Sequence, residues 1–296
     1  MSDALASVST VAAAIAGSAL LLVLLDRFLS TNRRMPRLRK PYGVFNGGVL
    51  WNATTVGRLQ SSEAVGGANT VYELMDRAFG EYGPMRAVGK RPILSRRYEV
   101  AKHGERIYEK LTLGDYAYTS YSDYRKQVAQ LGAGMVDFAK LVPGDKIMIY
   151  AETRLEWMLA CLAAFSQSLT VVTIYATLGG EGLALGLAQT HAKLLVTDAR
   201  LLPKVARAAR AAAPSAMASC VRVVYVAEVP VLARDAFAEN TIAGALAEIE
   251  AAGWEAAELG RVMSLGLAHP APAVKPSPDD TALIMFTSGT TGETCD

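Results

Sequence analysis

The chain has 296 residues, of which 51% are hydrophobic and 20% are charged, and its formal net charge at pH 7 is +2. A chain of this length forms one or two domains with substantial cores, and this composition excludes a disordered protein. The nearly balanced charge gives no argument for a nucleic-acid partner.

An uncharged apolar run of 22 residues extends from Ala4 to Leu25. As a helix rising about 1.5 Å per residue it covers the roughly 30 Å hydrocarbon core of a bilayer. A basic cluster follows it, formed by Arg27, Arg33, Arg34, Arg37, Arg39 and Lys40. By the positive-inside rule, the pattern predicts a single-pass membrane anchor with a cytosolic body, with the endoplasmic reticulum as the default membrane.

Two alternatives to this anchor remain open. The first is a cleaved signal peptide, although such a peptide normally begins with positive charge and Asp3 is the only charge before this run. A helix lying in one leaflet fits the moderate hydrophobicity that alanine, glycine and serine give the run. The sequon at Asn52 tests the orientation, because glycosylation there would put the body in the lumen.

The chain then divides into three parts: an anchor with its basic flank at 1–40, a linker at 41–69 and a domain at 70–296. The linker is rich in glycine, asparagine and serine, which favour turns. The domain begins with a predicted amphipathic helix, capped by Asn69 or Thr70, in which Glu73 completes a capping box. Its predicted apolar face consists of Val71, Leu74, Met75 and Phe79.

The middle of the chain predicts alternating strands and helices. Short strands and loops are expected from Lys90 to Tyr121, and a helix from Ser122 to about Lys140 ends at the turn formed by Pro143 and Gly144. Apolar strands are predicted at 146–150, 169–175, 192–198 and 221–226. Helices are predicted behind the first strand, with a capping box of Thr153 and Glu156, and at 179–190 and 199–213, with Pro203 in the first turn.

This alternation predicts an α/β fold with a parallel sheet covered by helices on both faces. Beyond Glu228 the sequence is rich in alanine, and no further strand is predicted before residues 281–286.

The last predicted strand leads into "TSGTTG", residues Thr287 to Gly292. Glycines there would let backbone N–H groups approach a polyphosphate, and the hydroxyl groups would donate to it. The loop is not a Walker A motif, because Glu293 stands where that motif has lysine, and no GxSxG surrounds Ser288. On these six residues alone, a plain turn after a strand is an equal alternative.

Other chemically active side chains carry weaker signals. The cysteines Cys161, Cys220 and Cys295 form no CxxC pair, so neither a disulfide framework nor a zinc site is indicated, and free thiols fit a reducing compartment. The histidines His103, His191 and His269 lack the spacing of a metal site or a catalytic triad. Arg154 and Glu156 are expected in a cap or surface role. Residues expected to shape the fold are Trp157, Tyr175 and Thr177, whereas Gly179 and Gly180 are expected to form a turn before a helix.

The strand followed by "TSGTTG" resembles the phosphate-binding loop of adenylate-forming, AMP-binding enzymes. The stretches at 111–135, 150–165, 171–187 and 196–205 look like those of the long-chain fatty acyl-CoA synthetases, in order and with similar spacing. The resemblance extends from about residue 70 to Gly292 and corresponds to the N-terminal part of that family.

The resemblance implies a reaction in which a long-chain fatty acid attacks the α-phosphate of Mg²⁺-ATP, after which CoA displaces AMP. The residues that it implies as phosphate contacts are Thr287, Ser288, Thr290 and Thr291, with Gly289 and Gly292 as permissive backbone positions. It assigns no catalytic residue and no metal ligand in this chain.

The resemblance breaks down at Thr294, Cys295 and Asp296, which replace the family's Pro-Lys-Gly. Its adenine-binding segment, acidic magnesium residue, fatty-acid tunnel and C-terminal domain would all lie later. We therefore expect an incomplete adenylate-forming domain, truncated just after the loop and inactive alone. The alternative is a noncatalytic, membrane-anchored binding or regulatory protein derived from the family. Expected partners are a long-chain fatty acid and the bilayer, with room for a homo-oligomer.

Overall fold

The computed structural model describes residues 43–46, 49–52, 66–100, 107–212, 222–227 and 236–286. The chain divides into two compact units, Met1–Ser61 and Ser62–Asp296. Within the described ranges, no helix has both the length and the apolar character needed to cross a bilayer. The predicted anchor, with its basic flank, lies outside those ranges.

The described part of the first unit is an antiparallel hairpin of β1 (Gly43–Asn46) and β2 (Val49–Asn52), inside the predicted linker. The second unit has two further antiparallel ribbons. One pairs β3 (Arg86–Lys90) with β6 (Ala117–Ser120), and the other pairs β4 (Ile93–Val100) with β5 (Ile107–Leu113). The short strands expected between Lys90 and Tyr121 are therefore confirmed.

A six-stranded, all-parallel sheet forms the centre of the second unit, in the order β11-β10-β9-β7-β8-β12. Its strands are β7 (Lys146–Tyr150), β8 (Thr170–Thr173), β9 (Leu194–Asp198), β10 (Arg222–Val226), β11 (Glu255–Glu258) and β12 (Leu283–Met285). The predicted α/β fold is confirmed. The expectation of no strand between 228 and 281 is wrong, because β11 extends the sheet beyond β10.

Seven α-helices are described in the second unit. They are α1 (Val71–Glu81), α2 (Tyr121–Ala139), α3 (Leu155–Phe165), α4 (Gly180–Thr190), α5 (Leu202–Ala212), α6 (Ala236–Ala251) and α7 (Leu259–Ala268). A short 3₁₀ turn, Ala199–Leu201, precedes α5, so Pro203 falls in the first helical turn as predicted. Gly144 adopts φ +84° in the predicted turn between α2 and β7.

Alternate side chains of the buried strands point to opposite faces and form two cores. On one face Ile147 and Ile149 pack with α1, α2, α3 and α7, whereas on the other Met148 and Tyr150 pack with α4, α5 and α6. The sheet is therefore covered on both sides, as expected for parallel strands without alternating polarity.

The first helix has the predicted cap, but its predicted apolar face is partly wrong. The hydroxyl of Thr70 accepts from the backbone of Glu73 at 3.1 Å, and the Glu73 carboxylate accepts from the backbone of Asn69 at 2.8 Å. Met75 and Phe79 are buried, but Val71 is 50% exposed and Tyr72 is buried instead. Leu74 is also exposed. The helix is thus rotated relative to its predicted apolar face.

Helices α2 and α7 approach closely because glycines face each other across their interface. A Cβ at Gly134 would lie 2.0 Å from the carbonyl oxygen of Val262, and a Cβ at Gly266 would lie 1.8 Å from that of Gln130. These distances leave no room for a side chain. The pair fixes α7, and with it the end of β11, against the main helical layer.

Candidate functional site

The candidate site lies at the carboxyl edge of the central sheet, where all six parallel strands end. Neighbouring strands β7 and β8 lead into α3 and α4, which pack on opposite faces of the sheet. Loops that diverge in this way leave a crevice outside the carboxyl ends, the usual ligand site of open α/β sheets. The topology therefore gives this edge the strongest claim to bind a small molecule.

Strand β12 brings the chain to this same edge. It runs parallel to β8, and the backbone N–H of Phe286 donates to the carbonyl of Thr173 at 3.4 Å. Phe286 is the last described residue. The predicted phosphate contacts, Thr287, Ser288, Gly289, Thr290, Thr291 and Gly292, lie outside the described residues, so those assignments stay predictions. The segment from Glu293 to Asp296 is also outside.

A buried ion network fastens the loop after β7. Asp198, 3% exposed at the end of β9, accepts from a guanidinium nitrogen of Arg154 and, at 2.8 Å, from the backbone N–H of Glu152. Arg154 Nε also donates to Glu156 at 2.8 Å, and Lys90 Nζ donates to the other oxygen of Glu156 at 2.6 Å. The network therefore links β3, the β7–α3 loop and β9.

This network corrects the sequence-based interpretation of Arg154 and Glu156. Arg154 is the N-terminal cap residue of α3, but no side chain caps that helix, so the predicted capping box of Thr153 and Glu156 is wrong. Their side chains are only 21% and 13% exposed, which is less than a surface role implies. The partner Asp198 was missed because it lies 44 residues away along the chain.

The network holds fixed charges. Burial alone would raise the pKa of Glu156, but hydrogen bonds from Lys90 and Arg154 outweigh burial and hold that pKa at about 2. Burial alone would lower the pKa of Arg154, whereas its bonds to Glu156 and Asp198 raise it overall. A carboxylate that stays ionised and a guanidinium already bonded to two acids are suited to positioning loops, and not to proton transfer at neutral pH.

A second set of bonds holds the loop after β8. The buried hydroxyl of Tyr150 donates to the carbonyl of Leu178 at 2.6 Å, and burial raises the pKa of this tyrosine to about 12. Lys204 Nζ donates to the carbonyl of Ala176 at 3.0 Å. In both contacts a side chain donates to a backbone carbonyl oxygen, so the two bonds fix the path of the loop between β8 and α4, next to the end of β12.

The remaining sequence-based candidates separate into buried and exposed groups. Trp157 is partly buried against a core, as expected of a residue that shapes the fold, but Tyr175 is 53% exposed and Thr177 is also exposed. Gly179 caps α4, and Gly180 is its first residue, which agrees with the predicted turn before a helix.

Histidine and cysteine chemistry finds little support in the described residues. His269 pairs with Asp137 at 2.9 Å, whereas His191 ends α4 in a left-handed conformation. Cys161 is buried with its pKa raised to about 11 by burial. His103, Cys220 and Cys295 lie outside the described ranges. Within those ranges, no three acidic, histidine or cysteine side chains form a group that could hold a metal ion.

A cavity of about 160 Å³ lies at the opposite, amino edge of the sheet. Its lining includes Ser168, just before β8, and Thr281, just before β12. The carboxylate of Asp280 in this lining already accepts from the backbone of Ser277 at 2.7 Å. Because Ser168 and Thr281 precede their strands, whereas the crevice lies where the strands end, the cavity is separate from the carboxyl-edge crevice.

Comparison with known proteins identifies relatives in sequence. A profile of the family described as AMP-binding enzyme matches residues 97–294. Long chain acyl-CoA synthetase 8 of Arabidopsis thaliana is 32% identical over 228 residues, which cover 76% of this chain and 29% of that protein. Long-chain-fatty-acid--CoA ligase 2 of Schizosaccharomyces pombe is 26% identical over 237 residues, covering 77% and 32%. The chain thus spans less than a third of the length of these relatives.

Solved structures agree in fold. The A domain of carboxylic acid reductase from Segniliparus rugosus, in complex with AMP and a co-purified carboxylic acid, matches with a TM-score of 0.58 at 18% identity, over 77% of this chain and 36% of that one. The adenylation domain of a carboxylate reductase from Mycobacterium chelonae gives 0.57 at 20% identity, over 78% and 35%. At such low identity, this likeness concerns the fold alone.

Proposed function

Because the chain belongs to the AMP-binding enzyme family, we propose that it contributes to the ATP-dependent activation of a long-chain fatty acid, first to an acyl adenylate and then to acyl-CoA. The fatty-acid substrate is suggested by the names of the sequence relatives. Since these relatives are more than three times as long as the matched region, the complete two-step reaction is a proposal about the architecture to which this chain contributes.

The observation that carries the proposal is the end of β12 at the carboxyl edge, beside the crevice between β7 and β8. In the proposal, the "TSGTTG" loop that follows Phe286 contacts the β and γ phosphates of ATP through its backbone N–H groups and through the hydroxyls of Thr287, Ser288, Thr290 and Thr291. Gly289 and Gly292 let the backbone approach the phosphates. A magnesium ion would accompany the nucleotide.

ATP supplies the chemistry that a carboxylate lacks, because a carboxylate is a poor electrophile until it gains a good leaving group. The contribution of this chain is to orient the departing pyrophosphate and to stabilise its charge. The ion network of Arg154, Glu156 and Asp198 supports this role indirectly, since it holds the loop after β7 at the edge of the crevice.

Nucleotide binding by the purified full chain tests the proposal. We expect ATP to bind in the presence of magnesium, and the double substitution Thr287→Val and Thr290→Val to weaken binding by at least about tenfold, as expected for the loss of two hydrogen bonds to a charged group. Ser264→Ala is the matched control, because it removes an exposed hydroxyl in α7 that bonds only within its own helix. Equal ATP affinity in all three proteins would contradict the phosphate-loop assignment.

Pyrophosphate release with ATP, magnesium and palmitate tests whether the chain activates a fatty acid by itself. Palmitate-dependent release supports activation by the chain itself and contradicts the noncatalytic alternative. ATP binding without release is expected both of an incomplete domain that is inactive alone and of a noncatalytic binding or regulatory protein derived from the family. Neither result depends on how the chain reaches the membrane.

We further propose that Ala4 to Leu25 anchors the protein with its body in the cytosol, as the apolar run and its basic flank indicate. The endoplasmic reticulum is the proposed membrane. The sequon at Asn52 provides the test, since a cytosolic body leaves this asparagine unmodified when the chain is expressed in microsomes. A glycosidase-sensitive mass shift that disappears in Asn52→Gln would reverse the proposed orientation.

A further inference from the structure

The two antiparallel ribbons carry an exposed row of stacked aromatic and cationic side chains. Tyr116 and Tyr118 stack with ring centroids 5.7 Å apart and an interplanar angle of 24°. The guanidinium of Arg86 lies 4.5 Å from the ring centroid of Tyr118, and that of Arg91 lies 5.5 Å from the centroid of Tyr116. The four side chains form a continuous row, here called the Arg–Tyr row.

Apolar side chains extend this row into a wider exposed surface. Between Met85 and Tyr118, seven large hydrophobic side chains are more than a third exposed: Met85, Ile93, Leu94, Leu111, Leu113, Tyr116 and Tyr118. Leu94 reaches 60% exposure. Arg91 joins the two ribbons by donating to the carbonyls of Gly114 and Leu113, at 2.7 and 3.1 Å. The ribbon that carries the exposed leucines and the ribbon that carries the Arg–Tyr row are therefore joined.

This region also carries an excess of positive charge. Residues 85–118 include eight lysines and arginines but four acids in the sequence. Among the described side chains in that range, the exposed cations are Arg86, Lys90, Arg91, Arg97 and Lys110, whereas Asp115 is the single exposed acid. The surface therefore combines positive charge with exposed aromatic and aliphatic groups.

Such a combination matches the interface of a bilayer that contains anionic lipids. Tyrosine and arginine settle at the headgroup level, because each has an apolar body and a polar end. Each cation near an anionic membrane contributes about 1 kcal/mol, and exposed leucine side chains can enter the acyl boundary. A second copy of the same surface fits less well, because it would bring like charges together.

We propose that the ribbon surface, formed by the described side chains of residues 85–95, 97 and 110–118, docks on an anionic lipid membrane. The surface lies toward the carboxyl edge, since Lys90 at the end of β3 binds Glu156 in the first turn of α3. Docking would therefore turn the crevice toward the bilayer. The idea that docking helps the crevice to capture a fatty acid rests on the proposed function, whereas docking itself does not depend on that function.

The test uses the full chain and measures how close the ribbon surface itself comes to the bilayer, so that attachment through an N-terminal anchor does not produce the expected signal. A polarity-sensitive fluorophore is attached at Leu94→Cys, and lipids with nitroxide-labelled acyl chains report its proximity to the bilayer. Cys220→Ser and Cys295→Ser in every variant direct the label to the new thiol, since Cys161 is buried with a raised pKa.

The matched control is the same label at Leu267→Cys, a residue that is 64% exposed on α7. Leu267 lies near His269, which contacts Asp137 in the last turn of α2, whereas the ribbons precede the first turn of α2. A helix of 19 residues separates these ends by about 28 Å. An N-terminal anchor would hold both labelled proteins at the membrane equally. A difference in quenching between them therefore reports which surface of the domain faces the bilayer.

In vesicles containing phosphatidylserine, quenching at Leu94→Cys should exceed that at Leu267→Cys by about threefold or more at low salt. It should fall by about half or more in 0.5 M salt, and also when Arg86→Gln and Lys110→Gln are added. Equal quenching at the two positions, or none at Leu94→Cys, would overturn the proposal, as would protection of that label by self-association without lipid. ATP binding is measured separately, so failure of the proposed function leaves this result unaffected.

Discussion

At the scale of single residues, the carboxylate of Asp198 joins two segments of the carboxyl edge. It accepts from Arg154 and from the backbone of Glu152 while only 3% exposed, so Asp198→Asn leaves a largely buried guanidinium with one acidic partner fewer. Breaking a buried pair costs more than breaking an exposed one, and we expect a loss of about 2–4 kcal/mol in the free energy of unfolding, measured by urea denaturation.

The control for this substitution is Asp76→Asn, which breaks an ion pair with Arg125 of similar length, 2.6 Å, at the surface. Both partners there remain more than a third exposed, so the expected loss is below about 1 kcal/mol. Equal losses for Asp198→Asn and Asp76→Asn would mean that the carboxyl-edge network adds nothing beyond a surface pair.

Glu156 makes the stability of the fold depend on pH in the acid range. Its folded-state pKa of about 2 lies below its ordinary value of 4.5, so the ionised carboxylate stabilises the folded state fully above about pH 5, and this stabilisation is lost as the pH falls toward 2. Relative to Glu156→Gln, the wild-type chain should gain about 1–3 kcal/mol at pH 6, and the gain should shrink steadily below pH 4.5.

Denaturant titrations at several pH values measure this difference. Glu248→Gln serves as the comparison, because Glu248 pairs with Arg210 at an exposed site and should change stability by less than about 1 kcal/mol. A difference between Glu156→Gln and wild type that stays constant from pH 6 to pH 3 would refute the assigned ionisation.

At the scale of secondary-structure elements, the contact between α2 and α7 depends on the absence of side chains at Gly134 and Gly266. A methyl group at Gly266 would meet the backbone of Gln130 at 1.8 Å, and backbone cannot move aside as a flexible side chain can. We expect Gly266→Ala to destabilise the protein by about 2 kcal/mol or more.

Gly244→Ala is the matched control for this effect. Gly244 lies in α6, where a methyl group on its Cα would meet no other atom within 4 Å, and alanine favours a helix over glycine by about 1 kcal/mol. The control should therefore raise the thermal denaturation midpoint, whereas Gly266→Ala should lower it. A rise in both would show that the two helices can separate without cost.

The elements also show which parts of the fold the sequence could reveal. Strands β7 to β10 were predictable because each is a continuous apolar run, as strands buried on both faces must be. Strand β11 was not, because "EAAE" has only two small apolar residues and joins the sheet through its neighbour β10. Its place is decided by the packing of α6 and α7, which no local pattern reports.

The candidate site likewise contains one part that the sequence could reveal and one part that it could not. The glycine- and threonine-rich loop from Thr287 to Gly292 was recognisable because its chemistry is contiguous in sequence. The pairing of Arg154 with Asp198 was not, since the two residues belong to different loops and meet only when β7 and β9 become neighbours. Local capping rules therefore predicted a cap or surface role for Arg154 and Glu156, whereas in the structure both belong to the buried ion network.

At the scale of the whole molecule, the division between Met1–Ser61 and Ser62–Asp296 separates the proposed membrane attachment from the α/β body. Both cores and the six-stranded sheet belong to the second unit. Deleting residues 1–61 should therefore leave the thermal midpoint of the body within about 3 °C of wild type, since a shift that small corresponds to less than about 1 kcal/mol. The same deletion should abolish carbonate-resistant membrane attachment.

Residual, salt-sensitive binding of the deleted chain to anionic vesicles is expected from the ribbon surface, because electrostatic attraction to a membrane is screened within a Debye length of about 10 Å at 0.1 M salt. Carbonate-resistant attachment that survives the deletion would contradict the anchor at Ala4 to Leu25. A fall of more than about 10 °C in the midpoint would instead mean that the first unit completes the body's core, and the two units would then form one cooperative fold.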